Sequence, residues 1–380
     1  METMLQKIKQ LRKELHQNPE LSGCEIQTAQ RIKTFLQTYH SATAIIEQIG
    51  GHGLAAVYEF PQKGATVMIR CELDALPIEE KNAFDYQSKT KGVSHKCGHD
   101  GHIAMVAGLV FWIKEQDFCS GKIILLFQPA EETGKGAFEV LQDPKFKALR
   151  PDYIFALHNL PNEPLHTILT KPNSFSATVQ SMIVHLTGKE SHASEPENGT
   201  NPALAMAELI TEFSKLNRQD LQSEKFTLLT PIHINMGQKS YGISAGAAEL
   251  HYTLRAWTEE VMAQLKETLQ QILNRIGMQY ALSYTIDWLE YFPSTTNDPF
   301  CNEFVVKAAR ANGLDCKERA YPLKFGEDFG WFSKHYKTAM FGLGAGMDSP
   351  ALHHADYDFP EEILETGMGM FKEIIQQIIK

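Results

Sequence analysis

The feature of this 380-residue chain that most constrains its fold is a regular alternation of short apolar segments with helical ones. Residues 65–71, 122–127 and 153–157 are rich in β-branched and aromatic side chains, and helical patterns cover 101–115 and 135–142. Such alternation is typical of βαβ units that build a largely parallel sheet. The sequence therefore predicts an α/β fold with a mixed, largely parallel sheet flanked by helices.

Polar side chains follow the predicted strands at the point where each strand ends. Glu72 and Asp74 follow the first strand, Glu131 and Glu132 follow the second, and His158 follows the third. Open α/β sheets place their functional sites beyond the carboxyl ends of their strands. We therefore expect these side chains to share one site.

The pattern changes between residues 175 and 289. Strands are predicted at 180–186, 227–236 and 248–257, and helices at 201–216 and 259–276. This β-α-β-β-α block predicts an inserted α+β, ferredoxin-like domain with its own antiparallel sheet. A helix at 299–311, a strand at 338–342 and a helix at 360–379 then resume the earlier alternation. The expected organisation is a discontinuous first domain, residues 1–174 and 290–380, and an inserted domain, residues 175–289.

Composition excludes several classes of partner. The formal charge of −10 and the lack of a basic stripe argue against nucleic acid or an anionic membrane. Residues 1–15 carry leucine and isoleucine at helical spacing among charged residues, which predicts an amphipathic helix rather than an apolar signal. No run approaches the eighteen or so apolar residues of a membrane span. The six cysteines lack paired spacing, so we expect a soluble protein of the reducing cytoplasm.

Two short runs carry the strongest chemical signal. Residues 97–102 read Cys-Gly-His-Asp-Gly-His, and residues 128–132 read Gln-Pro-Ala-Glu-Glu. A thiolate and imidazoles are good zinc ligands, and a carboxylate pair offers one ligand and one free base. A buried cysteine alone is usually a small hydrophobic residue, and a lone histidine usually a core residue. Their clustering favours a hydrolytic metal site.

These runs, together with residues 12–16, 157–161, 326–330 and 352–354, resemble in order and spacing the M20 metallopeptidase family, subfamily D. The resemblance implies a zinc-exopeptidase-like catalytic domain that cleaves N-acylated amino acids with two divalent metal ions. It implies Glu131 as the uncoordinated general base and Asp74 as a supporting carboxylate. The metal ligands that it implies are Cys97, His99, Glu132, His158 and His353.

The resemblance extends to the inserted domain. Residues 188–193 are similar to the lid motif of the family, which implies that His192 stabilises the oxyanion in the active site of a partner subunit, within a homodimer formed through the lid. Arg255 matches an arginine that can pair with a substrate carboxylate. The chain departs from the family pattern at Glu72, at 190–191 and at 242–246. The last two departures lie on the substrate side, so reaction type is better determined than substrate identity.

Several alternatives remain open from the sequence. N-acetyl-diaminopimelate deacetylation and dipeptidase or aminopeptidase activity are compatible with the same fold. A metal-free amidase with Cys97 as nucleophile belongs to another class, and a metal-binding scaffold without activity to a third. Zinc suits the thiolate, whereas manganese, cobalt or nickel can also occupy a mixed histidine, carboxylate and thiolate pocket.

Overall fold

A computed structural model describes residues 3–380 of the chain. The chain divides into two compact units, which are described separately below. Unit 1 comprises the described chain up to Phe175 together with Thr295–Ala320 and Glu327–Lys380. Unit 2 comprises Ser176–Ser294 and Tyr321–Gly326.

The first part of unit 1 carries the alternating elements that the sequence predicts. Its helices are α1 (Met4–Gln17), α2 (Ile26–Tyr39), α3 (His99–Ile113), α4 (Gly136–Gln142) and α5 (Pro144–Leu149). Its strands are β1 (Ala44–Ile49), β2 (Gly53–Glu59), β3 (Gln62–Glu72), β4 (Ser120–Gln128), β5 (Tyr153–Leu160), β6 (Ile168–Thr170) and β7 (Asn173–Ser174).

Unit 2 carries the inserted elements. They are β8 (Thr178–Thr187), β9 (Ser191–His192), α6 (Ala203–Ser214), β10 (Thr227–Met236), β11 (Ile243–Ser244), β12 (Ala247–Ala256), α7 (Glu259–Tyr280) and β13 (Ser283–Phe292). The chain then returns to unit 1 with β14 (Thr296–Asn297), α8 (Pro299–Ala311), β15 (Cys316–Glu318), α9 (Gly330–Ser333), β16 (Lys337–Gly344) and α10 (Leu364–Ile378).

The main sheet of unit 1 has the strand order β1-β2-β4-β3-β5-β16-β6-β15. Its central strands β4, β3, β5 and β16 are mutually parallel, with Cys71 opposite Phe127 and His158 opposite Gly342. The pairs β1–β2, β2–β4 and β16–β6 are antiparallel. The carboxyl ends of the four central strands therefore lie along one edge of the sheet.

Helix α3 occupies the centre of the hydrophobic core of unit 1. All but two of its residues are buried, and it contacts α1, α2 and α10 as well as β3. A helix that is apolar almost all round must be covered on every side. This packing fixes the position of its first residue, His99, which follows directly after Cys97 and Gly98.

Unit 2 has a four-stranded antiparallel sheet in the order β10-β12-β8-β13. The main elements follow one another as β-α-β-β-α-β, so the fold is ferredoxin-like. Apolar residues on one face of the sheet, among them Met182, Val184, Leu250 and Leu254, form a core with α6 and α7. Alternate residues of each strand point to the opposite face.

The predicted fold class is confirmed, including the largely parallel sheet and the antiparallel sheet of the inserted region. Strand β13 completes the inserted block, although its sequence had not been interpreted as a strand. The N-terminal helix expected at 1–15 is α1, capped by Thr3; the first two residues of that prediction lie outside the described range. Within residues 3–380, none of the helices combines the length and the apolar character needed to cross a membrane.

Candidate metal centre

The carboxyl edge of the central strands gathers the polar side chains that the sequence placed there. Asp74 lies two residues beyond the end of β3, and Glu131 and Glu132 lie in a 3₁₀ turn just beyond β4. His158 lies near the end of β5, which continues to Leu160 rather than ending at residue 157. The shared edge explains why residues far apart in sequence meet here.

The segment Cys97-Gly98-His99 turns sharply into helix α3. Gly98 has a φ of 98°, and a Cβ atom on this residue would lie 2.5 Å from Asn159 Oδ1. Both the backbone conformation and the close approach exclude a larger side chain. Gly98 thereby allows the flanking cysteine and histidine to face the same site.

Two groups of candidate metal donors share the Cys97 thiol. In each group, the ligand atoms lie within 4.8 Å of one another. The distance from Cys97 Sγ to His158 Nε2 is 3.5 Å, and His353 Nε2 lies 3.6 Å from Glu132 Oε2. The first group is Cys97, His99 and His158, and the second is Cys97, Glu132 and His353.

The ring nitrogens of two histidines are oriented by backbone carbonyl groups. His99 Nδ1 lies 2.8 Å from the carbonyl oxygen of Asp74, and His158 Nδ1 lies 2.8 Å from that of Asn159. Because a carbonyl oxygen only accepts, both Nδ1 atoms donate, and both Nε2 atoms are left as the nitrogen that can bind a metal.

The buried donors lack protein partners at positions where a cation would satisfy them. His99 Nε2 and Glu132 Oε1 are both enclosed and accept or donate no hydrogen bond. Although burial opposes it, Asp74, Glu72 and Glu132 raise the pKa of His99 to about 10. The pocket therefore favours added positive charge, which a metal ion supplies. The residues present fit a pair of divalent ions.

His353 reaches this site from the last part of the chain. Its backbone has a φ of 66°, and its N–H donates to the carbonyl oxygen of Lys96 at 2.7 Å. Its ring is about half exposed, and His354 beside it is more exposed still, at 66%. The Lys96 ammonium, which is buried, donates to Glu80, Asn82 and the carbonyl oxygen of Tyr357. These contacts fix the segment that carries His353 against the residue before Cys97.

Asp74 positions one member of each donor group. Its carboxylate accepts hydrogen bonds from Ser22 Oγ at 2.6 Å and from the backbone N–H of Glu132 at 3.0 Å. Burial opposes ionisation, yet His99 and Ser22 outweigh it and lower the pKa of Asp74. An ionised Asp74 therefore orients His99 and the turn that carries Glu132.

Glu131 is buried beside further carboxylates. Burial, Glu327, Glu132 and Asp328 raise its pKa well above the ordinary value. Its Oε1 lies 3.4 Å from the backbone nitrogen of Asp328 and Oε2 lies 3.9 Å from His99 Nε2. A carboxylate whose proton affinity is increased in this way is a stronger base, which suits a group that accepts and then releases a proton.

A buried ion-pair network behind the site had not been predicted. Arg70, fully buried within β3, pairs with Glu72, with Glu327 at 3.1 Å and with Asp328 at 2.7 Å. The one sign of this network in the sequence is a charged residue, Arg70, inside an otherwise apolar strand. The network supports the Gly-Glu-Asp-Phe-Gly segment at 326–330 against the strand that leads to Asp74.

Two other polar residues near the site have structural partners. His102 uses both ring nitrogens, with Glu72 at 2.7 Å and Asn159 at 2.6 Å. Asp100 accepts from Arg12 and His16, each at 2.9 Å, so it connects α1 to α3 and has no hydrogen bond to a candidate ligand.

His192 and Arg255 belong to unit 2. His192 is exposed on the short strand β9, opposite Ile243 of β11, and its Nδ1 lies 2.7 Å from Ser194 Oγ. Arg255 lies in β12 and donates from Nε to the carbonyl oxygen of Lys324 at 2.9 Å. Neither is a member of the donor groups in unit 1.

The fold and the donor groups define a class: an α/β protein with a candidate two-metal centre at the carboxyl edge of its sheet and an inserted ferredoxin-like unit. The family model described as Peptidase family M20/M25/M40 matches residues 68–377. The chain belongs to this family.

The relatives with known activities cover nearly the whole chain. N-acetyl-L-cysteine deacetylase of Bacillus subtilis (strain 168) is 32% identical over 372 residues, 97% of this chain and 87% of the relative. N-acetyldiaminopimelate deacetylase of the same organism is 30% identical over 94% of this chain and 95% of its own. Hippurate hydrolase of Campylobacter jejuni is 26% identical over 97% of this chain and 96% of its own.

A solved structure agrees with this assignment. A dinuclear metal-binding peptidase of family M20 from Bacillus subtilis is 25% identical and covers 98% of this chain, with 97% of its own chain covered. The TM-score is 0.83.

Proposed function

We propose that this chain is a metal-dependent amidohydrolase that cleaves the amide bond of an N-acylated amino acid, releasing a carboxylic acid and the free amino acid. The observation that carries the proposal is the pair of donor groups that share Cys97, with Glu131 beside them and outside both groups. The named activities of the deacetylase and hippurate hydrolase relatives support the same bond class.

In this proposal, the two donor groups would hold a pair of divalent ions, and Cys97, which belongs to both groups, would contribute a ligand to the pair. His99 and His158 complete one site, and Glu132 and His353 complete the other. Bound metal ions supply a water of lowered pKa and polarise the amide carbonyl group. Zinc suits a thiolate and imidazole set best, and manganese, cobalt or nickel are the alternatives.

Glu131 is the proton carrier. It takes a proton from the attacking water onto a carboxylate oxygen and delivers that proton to the nitrogen of the departing amine, first as base and then as acid. Its buried position among carboxylates supports this role, because the raised pKa makes the carboxylate a stronger base. Asp74 orients His99 and the Glu132 turn without contacting substrate.

The metal-free cysteine amidase is less well supported. Burial and the neighbouring carboxylates of Glu132, Glu131 and Glu72 raise the pKa of the Cys97 thiol well above its ordinary value. A nucleophilic cysteine requires the opposite, a lowered pKa beside a positive charge. The carboxylates around Cys97 instead favour cation binding.

We assign His192 the role of oxyanion donor to a partner subunit and Arg255 the role of binding the substrate carboxylate. His192 is exposed and held by Ser194, so its imidazole is available to another molecule. Burial lowers the pKa of Arg255 without removing its charge, and a guanidinium pairs well with a carboxylate.

Homodimerisation through unit 2 is part of the same proposal. Strand β10 is an edge strand of its sheet and exposes Ile232, Ile234 and Met236 by 63%, 42% and 40%, respectively. An exposed apolar edge strand pairs readily with another chain. A second copy of β10 is the occupant that this edge fits.

A panel of N-acyl amino acids tests the proposed function. The panel contains acetyl, benzoyl and indoleacetyl derivatives, together with N-acetylcysteine, N-acetyldiaminopimelate and unmodified dipeptides, and each reaction is run before and after chelation. We expect metal-dependent release of a free amino acid from at least one N-acyl substrate. Turnover of dipeptides alone, or activity that survives exhaustive chelation, would contradict the proposal.

A further inference from the structure

Unit 2 carries a cluster of histidine and carboxylate side chains that the proposed amidohydrolase reaction does not use. It lies on the face of the four-stranded sheet opposite α6 and α7. We call it the histidine cluster, and its members are His185, His233, His251, Glu249 and Asp287.

The strand register brings these five residues to one place. Glu249 of β12 is directly opposite His185 of β8, and His251 of β12 is directly opposite His233 of β10. Paired residues on antiparallel strands project from the same face, and so do residues two apart on one strand. The core residues Val184 and Leu250 alternate with the cluster and face the helices instead.

The Glu249 carboxylate lies at the centre of the histidine cluster. Its Oε2 is 3.7 Å from His251 Nε2 and 3.9 Å from His185 Nδ1, and its Oε1 is 3.9 Å from His233 Nε2. Zinc bonds of about 2.0–2.1 Å in a tetrahedron place two ligand atoms about 3.3 Å apart. The three separations from Glu249 exceed this by about half an ångström, so these part-exposed side chains must rotate to close on a single ion.

Asp287 orients one of the histidines. Its Oδ2 lies 3.0 Å from His185 Nε2, so the other ring nitrogen, Nδ1, faces Glu249. A carboxylate that fixes one nitrogen of a metal-binding histidine is a recurring arrangement around zinc. His251 Nε2 provides a further observation, because it is enclosed and has no hydrogen-bond partner.

Charge on this face also favours a cation. Among residues 3–380, the only ion-pair partners of Glu249 and Asp287 are histidines, and neither carboxylate pairs with a lysine or an arginine. Imidazole nitrogens combined with a carboxylate oxygen are ligands preferred by zinc and its first-row neighbours.

We propose that the histidine cluster is a third metal site, separate from the two-metal centre, which binds a divalent ion of the zinc class through His185, His233, His251 and Glu249. Asp287 acts as a positioning residue for His185. The ion ties together β10, β12 and β8, and thereby stabilises the sheet of unit 2.

Zinc content of the full-length protein tests this proposal. The wild type, His251→Ala and the double variant His185→Ala/His251→Ala are equilibrated with a zinc buffer, and bound zinc per chain is measured by mass spectrometry. His335→Ala, an exposed histidine of unit 1, is the matched control. We expect the double variant to bind one zinc fewer than the wild type, and the control to bind the same amount as the wild type.

Two further measurements separate this site from the catalytic one. Turnover of the N-acyl substrate should be unchanged in the double variant, because none of its residues belongs to the two-metal centre. Asp287→Asn should weaken zinc binding at the third site about 10–100-fold, which a purely structural role would not do. Equal zinc content in wild type and double variant at saturation would overturn the proposal, whatever the occupancy of the two-metal centre. A cluster that binds protons but no metal would give equal zinc content in the wild type and the double variant.

Discussion

The two polar clusters of this molecule differ in how much of their geometry is set before any ion binds. At the carboxyl edge of the unit 1 sheet, the donors other than His353 are largely buried, and backbone carbonyls, Asp74 and the Arg70 network hold them. On the sheet of unit 2, the histidine cluster is part-exposed, with His251 at 28% and His233 at 58%, and Asp287 alone orients a ring. Catalysis requires positions held closely, whereas a stabilising ion tolerates looser ones.

This difference makes Glu131→Gln the substitution with the largest expected effect. The amide keeps the shape of the side chain but cannot carry a proton, and general acid–base catalysis contributes about 10²–10⁴-fold. We expect turnover to fall by that factor while the metal content is unchanged. Glu139→Gln, an exposed residue in α4, is the matched control and should retain full activity. A mild defect in Glu131→Gln would place the base elsewhere.

Removal of the buried arginine should have the next largest effect, and it is on stability. Arg70→Met leaves Glu72, Glu327 and Asp328 without their counter-charge, and breaking a buried ion pair costs about 3–5 kcal/mol. Thermal unfolding of unit 1, followed by calorimetry, measures this loss. Arg275→Met in unit 2 removes a half-exposed pair with Glu208 and should change the unfolding temperature little. Similar shifts in the two variants would contradict the contrast between the buried and exposed regions.

His192→Ala tests the lid residue. Loss of one oxyanion donor typically costs about 10²–10³ in rate, and the metal content should not change. If His192 acts in a partner subunit, mixing Glu131→Gln and His192→Ala subunits should restore part of the activity, because one site of each heterodimer then contains both intact residues. If subunits demonstrably exchange and no activity returns, His192 either acts within its own chain or takes no part in the reaction.

The smallest expected effect is a pH dependence of stability from Glu80. Burial opposes its ionisation, but His16 and Lys96 lower its pKa to about 2 from an ordinary 4.5. Because the folded-state pKa is the lower one, the ionised carboxylate contributes its full stability above pH 4.5 and loses it as the pH falls towards 2. The unfolding temperature of Glu80→Gln should therefore lie below that of the wild type at neutral pH, and the gap should narrow across this window. A gap that stays constant with pH would show that the charge of Glu80 is not involved.

Local patterns were sufficient to predict much of the fold. The strands around 65–71, 122–127 and 153–157 are apolar and β-branched, and helix α8 has the predicted bounds of 299–311. Helix α2 was missed because Gln and Thr dilute its apolar spacing, and β13 because its alternation is half exposed. Both elements depend on packing partners that are distant in sequence.

The candidate site was predictable to a similar degree, for the same reason. Cys97 and His99 are two residues apart and Glu131 and Glu132 are adjacent, so local reasoning found them. His353 came only from resemblance, because its backbone bond to Lys96 depends on tertiary packing. Arg70 and Asn159 acquire their roles through the register of parallel strands, which no local pattern specifies.

The shared thiol is the central claim, and metal analysis of Cys97→Ala tests it most directly. The measurement uses chains that also carry His185→Ala/His251→Ala, so that the histidine cluster does not contribute. Cys71→Ala, which removes a buried free cysteine of β3 from the same background, is the control. We predict two ions per chain in the background and in the Cys71→Ala control, and loss of metal in Cys97→Ala, because both donor groups lose a ligand. Full occupancy in Cys97→Ala would contradict the account.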